Sequence, residues 1–598
     1  MPNSPIAEET NLISFAILSA GKEIPGTYEV LEIRIEQHVN RIAEAEITLR
    51  DGSTANQTFD VTDSDTFKPG SEIEIKLGYQ SQNKSVFKGL VTKQIIQVDD
   101  ISGSKLQVIC KDKALKLAIN RKNGIFTEVT DSDIIEKISG ECGLSSDITS
   151  TSENHKEVVQ YYATDWDFII SRAEINGLVV ITDSGKLTVQ QPKVEDTPAL
   201  QVQFGYDIIE FSGELDATNQ YSDVQGNAWD MASQSVINAA SSEPSVNNQG
   251  DITGAALASV LSVGTQNLSS SVPVSQSAIK TWANAALLKS RLSRFKGSVT
   301  FQGSADARVN ATIKLMGLSN RFNGNAFISG ITHTLADGRW TTEAQIGLSA
   351  EWFVEKHPVS APVASGLLPG VKGLQTGIVK KIYEDPDNEF RVQVEIPLLG
   401  ADGEAVWARL STFYSGKGIG AYFMPEVNDE VILGFMNNDP RFPIILGSVF
   451  SSSIPAPETP DEKNTIKTLV TQSKLQLKFD DENKVITILT PSGNTVILSD
   501  ADKAITLLTP EGITMVLSDE NKGITLTDQN KNKIEMNDNG IVVESASDLT
   551  LKATQNVKIE GMQVEITGNQ STTVKGSAQC EISSDGQMVV KGVTVAIN

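Results

Sequence analysis

Alternating apolar and polar residues run through the first three quarters of the chain and predict half-buried β-strands. Residues 30–35, 73–77 and 106–110 are clear examples, because every second side chain in them is apolar. The same pattern returns in residues 326–334, after a long stretch without it. A mainly β fold is therefore expected for this part of the chain.

Three helices are predicted to interrupt these strands. The first covers residues 132–140, where isoleucines recur on one face. The second begins at Thr164, which has the spacing of a capping box with Asp167, and Gly177 is placed to end it in a left-handed conformation. The third covers residues 275–295 and follows a Ser-, Ala- and Asn-rich stretch, residues 231–275, which is interpreted as an extended insertion.

The composition changes abruptly near residue 453 and divides the chain. After that point there is no Trp, Tyr, Arg or His, and Phe479 is the last aromatic residue. Short strand patterns and turn residues between 377 and 448 predict a small closed barrel of the oligonucleotide/oligosaccharide-binding (OB) type. The predicted domains are residues 1–370, residues 371–452 as the barrel, a linker at 453–465, and a repetitive tail at 466–598.

A 19-residue repeat opens this tail. Three segments that start at Asp481, Asp500 and Asp519 share an opening Asp and Lys followed by Ile-Thr, and the first two continue alike through Leu-Thr-Pro, Gly and Leu-Ser. Each unit is interpreted as two strands and two turns. Ile486 and Ile488 flank Thr487, so one face of the strand is expected to be buried and the other exposed to solvent.

A shorter repeat, with steps of seven and then eight residues, follows the 19-residue units. Each copy has an apolar residue, any residue, and then Gly, which is replaced once by Ser. The positions are Ile559 and Gly561, Ile566 and Gly568, Val574 and Gly576, Ile582 and Ser584, and Val590 and Gly592. Glycine at each corner would allow a turn that a side chain would obstruct or strain.

An eight-residue step indicates an intertwined homotrimer. It allows about one strand of five residues and a tight turn, and one such strand cannot enclose a core or pair its own edges. Three chains wound about a threefold axis can do both, which predicts a triple-stranded β-helix over residues 466–598. A single-chain β-solenoid is the alternative, although solenoid coils usually need roughly 20 residues or more.

Charge and cysteine content argue against several kinds of partner and of structural site. The formal net charge is −25, which disfavours nucleic acid and anionic membrane surfaces as partners. The three cysteines form no CxxC pair, which argues against a disulfide framework or a zinc site. The short apolar run at residues 12–20 follows two glutamates and is interpreted as a first strand, so folding in the cytoplasm is expected.

No enzyme motif stands out in the sequence. There is no HExxH and no GxSxG, and no Gly-Lys pair is followed by Ser or Thr. Carboxylates in the turns are expected to be solvated, and no His lies beyond His357 to bind a metal in the tail. A non-enzymatic protein without catalytic residues, cofactor or metal is therefore predicted.

The chain resembles VgrG proteins, the spikes of type VI secretion systems, which are similar to the hub and needle proteins of contractile phage tails. The octads resemble the family's needle repeat. Residues 165–177, DWDFIISRAEING, resemble its hub helix, and residues 317–324 with 331–333 and 338–340 resemble a later hub segment. Hub, barrel and needle follow one another in the family's order across nearly the whole chain.

This resemblance implies a trimeric spike that joins tube to needle, punctures a target membrane and leaves the cell through its apparatus. Implied partners are further copies of the chain, the tube protein ring, baseplate proteins, a PAAR-like tip protein and effector cargo. The tip protein is expected to dock at the end formed by Val595, Ile597 and Asn598. Neither a lysozyme domain, as in some phage needles, nor an appended toxin is expected.

Alternative functions remain open at this level. A prophage tail hub, or the spike of an extracellular injection particle, would use the same mechanics. A β-helical surface adhesin is a third alternative, disfavoured by the lack of a signal peptide.

Overall fold

The computed structural model describes residues 3–6, 12–100, 103–194, 197–398 and 405–597. They divide into two compact units. The first extends to Val371 and includes Asn437–Pro440, and the second comprises Lys372–Met436 and the chain from Arg441 onward. Among the described residues, no helix combines the length and apolar character needed to cross a bilayer.

The first unit is built mainly from strands. These are β1 (Ile13–Ser19), β2 (Lys22–Glu23), β3 (Val30–His38), β4 (Glu44–Arg50), β5 (Glu72–Tyr79), β6 (Gln82–Asp99), β7 (Gly103–Lys111), β8 (Arg121–Thr130), β9 (Ser145–Ile148), β10 (Asn154–Thr164), β11 (Val179–Asp183), β12 (Lys186–Gln190), β13 (Leu200–Gln203), β14 (Ile208–Leu215), β15 (Asp223–Asp230), β16 (Ser235–Ala240), β17 (Thr265–Ser270), β18 (Phe295–Gln302), β19 (Thr312–Met316), β20 (Gly324–Ala336) and β21 (Arg339–Ile346). The helices are α1 (Lys116–Ile119), α2 (Asp131–Glu141), α3 (Asp165–Ile175), α4 (Gly254–Leu261), α5 (Gln276–Leu292) and α6 (Phe353–Lys356). The predicted first strand, and a mainly β fold, are confirmed.

A thirteen-stranded sheet organises this unit, in the order β14-β18-β21-β20-β3-β4-β7-β6-β5-β1-β2, with β19 and β13 attached beside β20. Alternation places one side of each strand in a core. In β4, for example, Ala45, Ile47 and Leu49 are buried, and charged or polar residues separate them. Buried side chains of this sheet form two apolar clusters, one around β3–β7 and one around β18–β21.

The three predicted helices are confirmed as α2, α3 and α5, and each begins at a local N-cap. Thr164 accepts a hydrogen bond from the Asp167 amide at 3.0 Å and starts α3, and Gly177 follows the helix with a φ of 70°. A complete capping box, formed by Thr130 and Asp133, starts α2. The buried faces of α2 and α3 pack with β11 and β12 around a third apolar cluster.

The stretch predicted as an extended insertion, residues 231–275, contains β16, α4 and β17. Both of its strands pair with β15, so it forms a small three-stranded sheet over α5. Its two carboxylates are paired within the unit: Glu243 binds Arg291 and Asp251 binds Arg321, each at 2.7 Å. These ion pairs and sheet hydrogen bonds order a segment whose richness in Ser, Ala and Asn suggested an extended conformation.

A buried ion pair connects α3 to α5. The Glu174 carboxylate accepts a hydrogen bond from Lys289 Nζ at 2.7 Å, and both side chains are 7% exposed. Glu174 also accepts hydrogen bonds from the Phe353 amide at 2.7 Å and from Asn40 Nδ2 at 3.3 Å. The Lys289 ammonium lies 5.1 Å from the centre of the Trp352 ring. Four segments of the unit therefore depend on one carboxylate.

His333, on β20, is a buried histidine whose ring nitrogen Nδ1 lies 2.9 Å from Thr342 Oγ1. Burial lowers its pKa from 6.5 to about 4. Because the folded-state pKa is the lower one, His333 contributes stability that is complete above pH 6.5 and is lost as the pH falls towards 4.

We expect this loss to reach about 3 kcal/mol, since one pKa unit corresponds to about 1.4 kcal/mol. Tryptophan fluorescence during urea unfolding measures it, because five of the six tryptophans lie in the first unit. In H333Q the unfolding free energy should depend less on pH between 6.5 and 4. An unchanged pH dependence in this variant would contradict the prediction.

The second unit contains a barrel followed by a sheet. Its strands are β22 (Gln375–Lys381), β23 (Val392–Glu395), β24 (Ala405–Leu410), β25 (Ser415–Gly416), β26 (Ile419–Gly420), β27 (Glu430–Phe435), β28 (Pro443–Ser448), β29 (Ile466–Val470), β30 (Gln476–Asp480), β31 (Val485–Leu489), β32 (Thr495–Ser499), β33 (Ala504–Leu508), β34 (Thr514–Ser518), β35 (Gly523–Thr527), β36 (Lys533–Asn537) and β37 (Gly540–Glu544). The predicted small barrel is confirmed: β22, β23, β24, β28 and β27 close in that order around Val379, Val394, Leu433 and Ile445.

A one-sided apolar sheet and the octad segment

Strands β29–β37 form a nine-stranded sheet in which each strand pairs antiparallel with the next one in sequence. Each strand has five residues. The 19-residue unit is confirmed as two strands and two turns, since the unit from Asp481 supplies β31 and β32 and the unit from Asp500 supplies β33 and β34. Within residues 466–544, strand pairing is therefore between neighbours of the same chain.

Two kinds of turn alternate along the edges of this sheet. At one edge, Thr490 and Thr509 hydroxyls each accept a hydrogen bond from the amide four residues on, at 3.1 Å. Gly493 and Gly512 supply the positive φ values of 96° and 91° that these turns require. At the other edge the positive-φ position is a lysine in each repeat: Lys484, Lys503 and Lys522. Several of the residues that the repeats share, including the lysine and the glycine, are thus turn residues.

The register of the sheet collects apolar side chains on one face, in two columns. The first column is Leu469, Leu477, Ile488, Val496, Leu507, Met515, Leu526, Ile534 and Val543. The second is Lys467, Phe479, Ile486, Leu498, Ile505, Leu517, Ile524, Met536 and Ile541. Only Lys467 interrupts them. Threonine, lysine and glutamate side chains are mixed with Ile and Val along the middle of the opposite face.

Nothing within the described chain covers this apolar face. Ile445 is the last buried apolar residue, and between 466 and 597 only Ser499 is buried. Ile488 remains 47% exposed and Leu507 40% exposed, and the first column from Ile488 to Val543 lines an open groove of about 850 Å³. Contiguous apolar surface of this kind marks a site of association.

The predicted octad residues lie after this sheet. Residues 551–597 are all exposed and contain no strand. The apolar octad positions are Ile559, Ile566, Val574, Ile582 and Val590, each more than 60% exposed. Val595 and Ile597 of the predicted docking end are also exposed, and Asn598 lies outside the described residues. The chain alone therefore does not bring the octads together, and their roles stay predictions.

Crowding, not a left-handed conformation, explains two of the octad glycines. None of Gly561, Gly568, Gly576 and Gly592 has a positive φ. A Cβ on Gly568 would lie 2.4 Å from the Ser571 carbonyl oxygen, and one on Gly576 would lie 2.0 Å from that of Gln579. Of the two reasons anticipated for glycine, the structure supports the lack of space.

Sequence reasoning missed part of the apolar pattern. In a strand, residues two apart share a face, so the position two before each octad apolar residue would face the same way if the octads formed strands in a trimer. These positions are Val557, Val564, Thr572, Cys580 and Met588. The columns of the nine-stranded sheet were likewise found only in part, because they depend on register across several turns.

Family models match three regions of the chain. Residues 9–337, more than half of it, match the Alg8 N-terminal domain. Residues 375–450 match the type VI secretion system/phage-baseplate injector OB domain, and residues 504–578 match the phage baseplate V C-terminal trimerisation domain. The last match covers β33–β37 of the one-sided sheet and the first octads, and indicates self-association.

Curated relatives match over short segments. The type VI secretion system spike protein VgrG4b of Pseudomonas aeruginosa is 31% identical over 96 residues, which are 15% of this chain and 12% of that protein. The actin cross-linking toxin VgrG1 of Vibrio cholerae is 30% identical over 104 residues, 16% of this chain and 10% of the toxin. The chain thus spans a small fraction of the curated relatives it matches.

A solved structure is similar over a longer range. The 43 kDa tail protein of prophage MuSo2 from Shewanella oneidensis is 12% identical, with 56% of this chain and 99% of that chain covered, at a TM-score of 0.43.

The injector OB domain and the baseplate trimerisation domain, with the short VgrG matches, make the second unit similar to parts of type VI secretion spike proteins and phage baseplate proteins. The chain belongs to the Alg8 N-terminal domain family, whose model covers more than half of it.

Proposed function

We propose that this protein is a homotrimeric injection spike whose needle is assembled from three apolar sheet faces. The observation that carries the proposal is the one-sided sheet of β29–β37, whose apolar columns remain uncovered in the single chain. Three such faces can enclose a common axis with their polar faces outward. Burying the exposed half of each Leu, Ile, Val or Met contributes roughly 1 kcal/mol, so two columns per chain give a large total.

The octad segment requires partners for a second reason. Residues 551–597 contain no strand, so their backbone groups lack ladder partners within the chain. Backbone amides and carbonyls that become buried need hydrogen bonds, and neighbouring chains can supply them. The needle then has two parts. In residues 466–544 each chain contributes one complete sheet, β29–β37, which forms one of the three walls of the needle. In residues 551–597 the three chains wind around one another.

Mechanical function follows from this architecture. A stiff, narrow rod without an exposed apolar face suits membrane puncture when the apparatus contracts. The spike would join the tube protein ring and baseplate at the hub, carry effector cargo, and hold a PAAR-like tip protein at Val595, Ile597 and Asn598. No catalytic role is proposed. The protein would be cytoplasmic until firing and then leave the cell through the apparatus.

The solution mass of the purified chain tests the trimer. Light scattering should give about 193 kDa, three times the chain mass of 64.4 kDa. Removal of residues 466–598 should give a mass below that of three shortened chains, or one that depends on concentration, because the uncovered face is lost. A full-length monomer of 64.4 kDa at micromolar concentration would overturn the proposal.

Function in the apparatus is tested in the producing cells. Replacing the native protein by the chain without residues 466–598 should abolish export of the tube protein into the medium, measured by immunoblot. The matched control is T506D, which alters the polar side of the sheet and should export normally. Normal export without residues 466–598 would contradict the spike function.

A further inference from the structure

A short hairpin of the barrel presents aromatic side chains to solvent. It comprises residues 411–424, including β25 and β26, and is called the aromatic hairpin here. Phe413 is 88% exposed and Tyr422 is 77% exposed, and Tyr414, Ile419 and Phe423 are exposed as well. Large apolar side chains on a surface mark a binding site when they are clustered.

The aromatic hairpin is ordered before any partner binds. The Ala421 amide donates a hydrogen bond to the Tyr414 carbonyl at 2.9 Å, and the Thr412 hydroxyl donates one to the Ala421 carbonyl at 3.2 Å. At its two ends, Leu410 and Met424 pack against the barrel core. Binding would therefore cost little conformational entropy.

A second apolar patch runs along the outside of β28 and is called the β28 stripe. Residues two apart in a strand share a face, and Ile445 points into the core, so Ile444 and Leu446 point outward. Phe442 and Phe450 continue the stripe just before and after the strand, and Leu446 and Phe450 are 53% and 69% exposed. The aromatic hairpin leaves both residues uncovered in its own chain.

Charge is nearly absent from the aromatic hairpin. Lys417 is the only charged residue between 411 and 424, in a chain whose net charge is −25. Like charges on identical chains repel, so a contact between copies requires surfaces without carboxylates. Interface centres are also depleted of charge and enriched in aromatic residues.

We propose that the aromatic hairpin of one copy packs on the β28 stripe of the next copy in the trimer. This inference rests on the proposed homotrimer. A threefold ring uses a heterologous contact, in which two different patches of each chain meet, and the barrel carries two such patches. The resulting collar of three barrels is a second trimer interface, separate from the needle.

The chain segment between barrel and needle favours a second copy of this chain as the partner of the aromatic hairpin. Ser448 ends the last barrel strand and Ile466 begins the first needle strand, so the intervening chain spans at most about 60 Å. Three needle walls on one axis would keep their barrels at millimolar local concentration, where a modest contact forms readily. A sugar ligand would instead need several polar groups converging on the aromatic rings, and the hairpin offers mainly aromatic and small side chains.

Site-specific photocrosslinking of the full-length protein tests the contact. The photoreactive amino acid p-benzoylphenylalanine replaces Phe413, and in a separate variant Tyr422. Chains labelled with ¹⁵N are mixed with unlabelled chains before assembly, so that mass spectrometry separates crosslinks between chains from those within one chain. Phe390 is the matched control, since it is 82% exposed and lies outside both patches.

The expected result is a crosslink between chains from position 413 or 422 to residues 442–450, and none from position 390. A protein that has the trimer mass but gives only crosslinks within one chain, or crosslinks to residues 12–371, would overturn this inference and leave the proposed function intact. Binding of the hairpin to cell-wall oligosaccharides, without crosslinks between chains, would overturn it in favour of a glycan site. A monomeric mass would overturn both proposals.

Discussion

L507D is expected to weaken the trimer, so that the solution mass falls on dilution from about 193 kDa (3 × 64.4) towards the 64.4 kDa of a monomer. Leu507 lies in the middle of the first apolar column, between Val496 and Met515. Three aspartates would be brought to one axis in the trimer, without counter-ions. Burying an unpaired carboxylate costs several kcal/mol per copy, which exceeds the contribution of any one side chain to association. Light scattering at micromolar concentration measures the effect.

The adjacent residue provides the control. Thr506 is on the same strand and points to the opposite face, between Ile497 and Val516. T506D should leave the mass at about 193 kDa, three times 64.4 kDa. If both variants were trimeric, the apolar columns would not face the axis. If both were monomeric, the effect would reflect damage to the wall itself and not to its apolar face.

E174A is expected to destabilise the first unit by about 3–5 kcal/mol, because it leaves the buried Lys289 ammonium without its carboxylate. It also removes the acceptor for the Phe353 amide and for Asn40. Urea unfolding followed by tryptophan fluorescence measures the loss. Trp352 lies against Lys289, so its emission reports the region directly.

The double variant E174L/K289M is the informative comparison. Apolar side chains of similar volume remove both charges together, and buried ion pairs replaced in this way often lose little stability. We therefore expect the double variant to be more stable than E174A. If the two variants were equally unstable, the hydrogen bonds to Phe353 and Asn40, and not the uncompensated charge, would account for the loss.

Much of the fold follows from local sequence patterns. Alternation in residues 30–35 and 106–110 predicts β3 and β7, and the Thr164 cap and Gly177 predict the limits of α3. The barrel strands, among them β24 and β27, lie within residues 375–448, close to the range 377–448 in which the sequence predicts a small barrel. These elements depend on side-chain periodicity and capping, which short segments determine.

Features that depend on residues far apart in the chain were harder to predict from the sequence. The order of strands in the insertion depends on pairing with β15 and on the Arg291 and Arg321 ion pairs, which lie outside residues 231–275. The apolar columns depend on register through many turns. The aromatic hairpin had a sequence signal, Phe413-Tyr414 and Tyr422-Phe423 around glycines, but only the structure places these residues outside the barrel.

The nearest-neighbour pairing of β29–β37 has a consequence for the order of folding. Every strand contacts only strands next to it in sequence, so contact order is low and each hairpin can form within about microseconds. The wall can therefore form within one chain during synthesis, while its association with two others depends on concentration. The octads have no such local pairing. The octad segments of the three chains would therefore associate last, starting next to the β29–β37 sheets and proceeding towards the C-terminal end. Assembly would thus have a built-in direction, and chains would meet with their correct register already set.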